Sequence, residues 1–170
     1  MKAPICAVCL KSDGILCPAD EKKLQEGKIS ELDVKIARLL YKILGDVDVE
    51  FKRAVEAGDL IVIIVGKGDV SVVVGKGGKN VKILTRELGK RIKVVEGMEE
   101  ESVEEIKKLA TDLFYPTSVF GVNVVYRPGG EKYYKVLIAG KDRRSLPEKV
   151  EVLESVLSQI VGHEVKISFI

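Results

Sequence analysis

Three cysteines and one aspartate near the start of the chain have the types and spacing of metal ligands. A C-x-x-C runs from Cys6 to Cys9, and a C-x-x-D runs from Cys17 to Asp20, with seven residues between them. Two short turns of this kind can point four ligands at one tetrahedral ion, and thiolates together with a carboxylate can bind zinc. The sequence therefore predicts one structural zinc, held by Cys6, Cys9, Cys17 and Asp20.

Two other interpretations of these residues stay open. The segment can be a degenerate knuckle that has lost its metal, because Asp20 stands where a fourth cysteine is usual. It can also be a redox C-x-x-C, although the pattern lacks the preceding strand and long following helix of thiol oxidoreductases. Disulfides are not expected in a cytosolic chain.

A glycine turn in the middle of the chain has the composition of a phosphate-binding loop. The apolar run that ends at Val74 is followed by Gly75-Lys76-Gly77-Gly78, and a helical pattern begins at once. Val81, Leu84 and Leu88 share one face of that helix. The opposite face is basic and comprises Lys79, Lys82, Arg86 and Lys90. Uncovered N–H groups and the helix dipole favour an anion at the amino end, so we predict a grip on a nucleic-acid backbone.

Other glycine motifs fit this turn less well. A Walker A loop needs Ser or Thr after its lysine, but Gly77 follows Lys76. A dinucleotide fingerprint needs a third glycine where Asn80 stands. A plain turn between two helices remains an alternative.

Composition and charge limit the class of protein. The chain has 170 residues, 46% hydrophobic and 32% charged, which is enough for one ordinary domain or two small ones. Net charge is only +2, yet residues 67–93 hold eight Lys or Arg and two acids, which indicates a local basic patch. The longest apolar run, Leu60 to Val65, is too short to span a membrane. We expect a soluble, cytoplasmic protein, and no catalytic arrangement of side chains indicates an enzyme.

The periodicity predicts one order of elements that occurs twice. The order is helix, strand, strand, helix, helix, strand. In the first copy we expect a helix capped by Ser30, strands at 47–56, 60–65 and 91–96, a short helix at 69–74 and the basic helix ending at Gly89. In the second copy we expect a helix with a Ser102–Glu105 capping box, strands at 119–126, 132–139 and 164–169, and a helix opening at Pro147.

A short sequence echo supports a tandem duplication. Val65-Gly66-Lys67 recurs as Ala139-Gly140-Lys141 at a spacing of 74, which indicates an internal repeat. The glycine turn does not recur, because the second copy has Glu148-Lys149-Val150-Glu151 at the matching place.

The order of elements and the run from Val74 to Lys82 resemble the KH family, whose signature is a G-x-x-G loop between two helices. The order is similar to the type II form, and the pair resembles the tandem KH module of NusA-like proteins, most of all the short archaeal ones. The resemblance covers residues 30–170 and implies an α+β fold with two tandem type II KH domains. The second copy is degenerate, and a short zinc-ribbon-like segment precedes both. The expected domains are residues 1–29, 30–98 and 99–170.

The resemblance also implies a function and a site. KH loops of this type hold single-stranded RNA, with bases against an apolar groove beside the loop. Gly75, Lys76, Gly77 and Gly78 are then the expected backbone clamp. The expected groove comprises Val73, Val74, Val81 and Ile83. The implied role is a factor in transcription elongation or termination; the alternative is an adaptor on the ribosome or RNA polymerase that uses the knuckle and the second copy.

Overall fold

The computed structural model describes residues 1–170, and these group into two compact units. The first unit comprises residues 1–54 and 61–97, and the second comprises residues 55–60 and 98–170. No helix in either unit has the length and apolar character that crossing a bilayer requires.

The first thirty residues form two short helices. These are α1 (Ala7–Lys11) and α2 (Pro18–Gln25), and their N-cap residues are Cys6 and Cys17. Ahead of α1, Lys2 forms a single parallel bridge to Glu50. Cys9 and Leu10 of α1 lie in the same hydrophobic core as the elements that follow, so this segment is part of the first unit.

Helix α3 (Glu31–Leu44) begins at the predicted cap. The Ser30 hydroxyl accepts the Asp33 N–H at 3.0 Å, and the Asp33 carboxylate accepts the Ser30 N–H at 2.9 Å, which completes a capping box. The other Asp33 oxygen accepts the Ala54 N–H at 2.7 Å. The cap residue therefore also fixes α3 against the sheet.

The first sheet has the order β1-β2-β3, with β1 at Phe51–Ala57, β2 at Leu60–Val65 and β3 at Arg91–Glu96. Every residue of the central strand β2 is buried, as its unbroken apolar run predicts. The strand expected at 47–56 begins later, at Phe51; just ahead of it, Glu50 forms an isolated bridge with Lys2 and donates its N–H to the Asp69 carboxylate.

Two helices joined by a turn connect β2 to β3. They are α4 (Val70–Val74) and α5 (Lys79–Leu88), and a 3₁₀ turn at Lys76–Gly78 separates them. Leu84 is fully buried in the core with Ile36, Leu40 and Ile63, so the predicted apolar face of α5 does point inward. Burying one such side chain contributes about 1.5–3 kcal/mol to folding.

The second unit contains the same order of elements. Its helices are α6 (Val103–Phe114) and α7 (Val150–Val161), and its strands are β4 (Gly121–Tyr126), β5 (Lys132–Ile138) and β6 (Val165–Phe169), in the order β4-β5-β6. Strand β5 pairs antiparallel with β4 and parallel with β6. A 3₁₀ turn at Gly140–Ser145 replaces α4.

The start of α7 differs from the prediction. Pro147 was expected to open the helix, but the first helical residue is Val150, with Lys149 as its extended N-cap. The Lys149 carbonyl accepts the Leu153 N–H at 3.1 Å and so closes the first turn. Proline suits the first turn of a helix but does not require one, so local sequence placed this boundary three residues early.

The chain is thus a mixed α and β protein with two three-stranded sheets, and each sheet fits a KH-like fold. Ser102 caps α6 by accepting the Glu105 N–H at 3.1 Å, which is one of the two bonds of the predicted capping box.

Candidate functional site

Residues Gly75–Gly78, which we call the glycine loop, have a backbone that other residues adopt poorly. The φ angles of Gly75, Gly77 and Gly78 are 79°, 64° and 74°. Gly75 also has ψ at 166°, a combination that is essentially restricted to glycine. Helix α4 ends because the Gly75 N–H bonds to the Ser71 carbonyl at 3.0 Å and the chain then reverses. The sequence at these positions thus produces an abrupt turn between two helices, exposed at Lys76 and Gly77.

Asn80 supports the glycine loop from the inside. Its side chain is only 4% exposed, and its Nδ2 donates to the Val72 carbonyl at 3.3 Å. A Cβ atom on Gly75 would lie 2.7 Å from that nitrogen, so the loop can pass over Asn80 only without a side chain. Sequence reasoning did not include Asn80 in the site, because a polar residue in the first turn of a helix is usually solvated.

The predicted basic residues lie mostly in solvent. Lys76, Lys79, Lys82 and Arg86 are exposed, and Lys90 is half-buried with a partner of its own. Arg86 is 4.0 Å from Glu87, a surface contact that leaves its side chain 75% exposed. Helix α5 starts directly after Gly78, so the positive end of its dipole lies at the glycine loop. The loop and the following helix together therefore present positive charge to solvent.

The four residues predicted to form an apolar groove differ in exposure. Val74, Val81 and Ile83 are half-buried and can offer part of their surface to a ligand. Val73 is 1% exposed and belongs to the core, so its side chain cannot contact a ligand. The physical reason is that α4 is a single helical turn, which directs Val73 inward and leaves Val72 39% exposed.

The second unit lacks the glycine loop in its backbone as well as in its sequence. No residue from 131 to 161 has a positive φ, and the N-cap Lys149 is extended at φ −62° and ψ 146°. Glu151 is exposed at the start of α7. The chain therefore enters α7 through an extended Lys149, with the acidic Glu151 in the first turn of the helix.

The predicted metal ligands lie together, and we call Cys6, Cys9, Cys17 and Asp20 the cysteine cluster. Their ligand atoms all lie within 4.8 Å of one another. The two halves have the same design, since Cys6 and Cys17 are N-caps and their partners stand three residues into α1 and α2. The structure thus brings the two sequence motifs to a single point.

Hydrogen bonds orient the cysteine cluster. The Cys17 N–H donates to Cys9 Sγ at 3.1 Å, and the Cys6 N–H donates to Asp20 Oδ2 at 3.0 Å. The sulfur atoms of Cys6 and Cys17 are 3.9 Å apart. Two sulfurs bound to one tetrahedral zinc at about 2.3 Å are separated by about 3.8 Å, so this spacing suits such an ion.

The pKa values of Asp20 and Cys9 in the cysteine cluster shift in opposite directions. Burial raises the pKa of the Asp20 carboxyl, but the Cys6 N–H and the three neighbouring thiols lower it more, to about 2. The Cys17 N–H lowers the pKa of Cys9, whereas burial and the side chains of Asp20, Cys6 and Cys17 raise it, to about 12. A carboxylate that is 1% exposed, with three thiols around it, is a donor set able to hold a metal ion.

A second polar cluster lies in the second unit. Glu101 accepts a hydrogen bond from the Tyr134 hydroxyl and lies 3.3 Å from Lys132 Nζ and 3.2 Å from His163 Nε2. The Tyr134 hydroxyl, together with Lys132, holds the pKa of Glu101 below its usual range. Local sequence gives no sign of this cluster, because 62 residues separate Glu101 from His163 and no local pattern links them.

Comparisons with known proteins agree with this architecture. A model of the KH domain matches residues 31–124, more than half of the chain. The crystal structure of APE1850 superposes with a TM-score of 0.58 at 25% identity, covering 76% of this chain and 93% of that one.

Curated relatives match over a shorter stretch. Small ribosomal subunit protein eS7A of Saccharomyces cerevisiae is 34% identical over 58 residues, or 34% of this chain and 30% of the relative. The probable transcription termination protein NusA of Methanococcus vannielii is 38% identical over 56 residues, or 33% of this chain and 30% of the relative. The match therefore spans about a third of each relative's length.

The family model covers helix α3, the whole first sheet, the glycine loop and the start of the second sheet. The chain also resembles a NusA protein over part of its length. On these grounds the chain belongs to the KH-domain family.

Proposed function

We propose that this protein binds single-stranded RNA through the glycine loop and the basic helix α5, in a type II KH domain. The observation that carries the proposal is a turn of three positive-φ glycines, exposed at Lys76 and Gly77, that leads directly into a helix with exposed lysines. Glycines let a phosphodiester backbone approach the main chain closely, and the helix dipole and lysines favour its charge. Bases would then lie against Val74, Val81 and Ile83.

The proposed roles differ along the site. Gly75, Gly77 and Gly78 shape the clamp, and Lys76 contributes a charge at its tip. Lys79, Lys82 and Arg86 follow the RNA backbone along α5, and Lys90 extends that face. RNA of any sequence can meet these groups, because phosphate contacts position a strand and base contacts specify it.

A double substitution tests the clamp. Changing Lys76 and Gly77 together to Asp places two carboxylates against the phosphates. The fold should survive, because Lys76 and Gly77 are exposed, no atom lies within 4 Å of a Cβ on Gly77, and Asp tolerates left-handed backbone better than most residues. We expect loss of binding to a labelled random-sequence single-stranded RNA, with an unchanged circular dichroism spectrum.

The chain contains a matched control for this change. Gly27 and Lys28 are also exposed neighbours, and Gly27 also has a positive φ, of 73°, with open space around it. Changing both to Asp alters the net charge equally, far along the sequence from the glycine loop. RNA binding should persist in this control, and equal losses in the two variants would reject the clamp.

For the wider role, we propose a non-catalytic factor in transcription elongation or termination. The partial likeness to a protein described as a probable transcription termination protein NusA supports this role. The likeness to ribosomal protein eS7A supports a second candidate, an adaptor on the ribosome or RNA polymerase. Crosslinking in cells, followed by sequencing of bound RNA, separates them: nascent transcripts favour the first role and ribosomal RNA the second.

We also propose that the cysteine cluster holds one structural zinc ion, in a zinc-ribbon-like segment of helical form. The mutual distances of its ligand atoms and the burial of Asp20 support a site with three thiolates and one carboxylate. Protein purified without chelator should contain one zinc per chain by atomic emission. Asp20→Cys should bind zinc more tightly, because a thiolate is the softer ligand; a chain that refuses added zinc would contradict the site.

A further inference from the structure

The chain ahead of the cysteine cluster is attached to the first unit at two places only four residues apart. At Cys6 the main chain bonds to Asp20 within the cluster. At Lys2 it forms one bridge, in which the Lys2 N–H donates to the Val49 carbonyl and the Phe51 N–H donates to the Lys2 carbonyl, both at 2.8 Å. A single-residue bridge is weak alone, so its persistence depends on the burial of Ile5 and on how firmly Cys6 is held.

Residues 49–51, which form this bridge with Lys2, are also hydrogen-bonded to the loop that leads into α4. While Val49 and Phe51 bond to Lys2, the intervening Glu50 bonds in the other direction. Its N–H donates to the Asp69 carboxylate at 2.9 Å, and its carbonyl accepts the Gly66 N–H at 2.9 Å. The main chain at 49–51 is therefore shared between the N-terminal segment and the loop that leads to α4.

Asp69 fixes the start of the short helix α4, and the glycine loop follows the end of that helix. Asp69 is the N-cap of α4, and its carbonyl accepts the Val73 N–H at 3.1 Å. Helix α4 has only five residues, so a shift at Asp69 moves Gly75 at its other end. Asn80 and the buried Val73 fix the remaining side of the loop.

From this continuous path we infer that the metal in the cysteine cluster positions the RNA-binding loop. A bound ion fixes Cys6, the fixed segment 1–6 holds Val49–Phe51 through Lys2, and that segment holds Asp69 and α4. The inference rests on the proposed zinc site and RNA binding, and it assigns to Lys2, Glu50 and Asp69 a positioning role without RNA contact. Metal loss lowers the fraction of chains with a formed loop, and apparent affinity falls by that fraction.

Two perturbations test the path in the full-length chain, with hydrogen exchange of the amides of residues 70–80 as the common readout. The first is removal of zinc by a chelator. The second is Lys2→Pro, which deletes the N–H that donates to Val49 and leaves all four ligands in place; Lys2→Ala is its matched control because it keeps the N–H. A short N-terminal tag on every variant keeps residue 2 inside a peptide bond.

We expect zinc removal and Lys2→Pro to speed exchange in residues 70–80 by roughly tenfold, and Lys2→Ala to leave it unchanged. Affinity for the random-sequence single-stranded RNA should fall in the first two cases by the same factor as the fraction of chains with a formed loop. The slope of log affinity against log salt should stay constant, because the number of phosphate contacts is unchanged. Zinc content should be equal in Lys2→Pro and Lys2→Ala.

Each other outcome has a definite meaning. Faster exchange confined to residues 1–30 after zinc removal would overturn the inference, as would equal behaviour of Lys2→Pro and Lys2→Ala. A chain that binds no zinc would also overturn it, together with the proposed metal site. If the chain binds no RNA under any condition, the proposed function fails, and the exchange data alone decide the coupling.

Discussion

The two units enter the helix before their last strand in opposite ways. In the first, the chain turns through Gly75, Gly77 and Gly78 with positive φ and emerges into α5, whose exposed face is basic. In the second, it passes from a 3₁₀ turn through an extended Lys149 into α7, with Glu151 exposed at its start. The element order is the same, so the fold tolerates either entry.

This difference shows that the residues that determine the fold are not the residues that form the candidate RNA-binding site. Apolar spacing on helices and strands determines the element order, and both copies retain it, for example at Leu84 in α5 and Leu157 in α7, each fully buried. The site depends on three glycines and a few exposed cations, which add no burial. A copy can therefore lose the site and keep the fold, and we expect RNA contacts to lie in the first unit.

Among substitutions that test this comparison, Gly75→Ala should have the largest effect on stability and RNA binding. The backbone of Gly75 disfavours any side chain by about 1–3 kcal/mol, and the new Cβ would also lie 2.7 Å from Asn80 Nδ2. We expect lower stability in urea unfolding and at least about tenfold weaker RNA binding, the equivalent of 1.4 kcal/mol.

Gly129→Ala is the control in the second unit. Gly129 lacks a positive φ, and a Cβ there meets no atom within 4 Å. Its effect on stability should stay within about 0.5 kcal/mol, as for other surface substitutions. If the two variants behave alike, the backbone and close packing of Gly75 do not require a glycine there.

A smaller effect is expected from Asn80→Ala. This change removes the hydrogen bond to the Val72 carbonyl and leaves a gap beneath the glycine loop. Loss of one such bond costs about 0.5–1.5 kcal/mol, and we expect a several-fold loss of RNA affinity with little change in secondary structure. Asn123→Ala, at an exposed position in β4, should alter neither property. Unaltered RNA binding in Asn80→Ala would show that the loop needs no support from Asn80.

The smallest effect should come from Glu101→Gln, which changes the stability of the second unit alone. Because Glu101 has a lowered pKa in the folded chain, its ionised form stabilises the fold above its unfolded pKa of about 4.3, and this is lost as pH falls through the lowered folded pKa. Glu101→Gln should therefore melt below the wild type at pH 7, and the gap should close once the pH is below the lowered folded pKa of Glu101.

RNA affinity should be the same in Glu101→Gln and the wild type. Glu131→Gln, which removes the same charge from an exposed turn, should leave both melting temperature and affinity unchanged. A melting difference that persists at acid pH would mean that Glu101 acts by packing. Altered RNA binding would contradict the view that RNA binding in the first unit is independent of the second unit.

Much of this architecture could be predicted because it follows from local patterns. The Ser30–Asp33 cap, the buried strand Leu60–Val65 and the glycine loop each have a short, specific signature. The inward position of Val73 could not be predicted, because a run of three valines in one helical turn does not indicate which one is buried. The Lys2 bridge and the Glu101–His163 pair join residues with no shared local pattern. The support from Asn80 depends on a close approach of the backbone that only coordinates reveal.

A salt titration of RNA affinity tests the central claim most directly. One variant changes Lys79, Lys82 and Arg86 to Gln, and the other changes Arg143, Arg144 and Lys149 to Gln, so both lose three positive charges. Each phosphate neutralised on a single strand contributes about −0.7 to the slope of log affinity against log salt. The first variant should flatten that slope by roughly two, and the second should change it little. A larger change from the second variant would place the RNA on the second unit and contradict the assignment of the glycine loop.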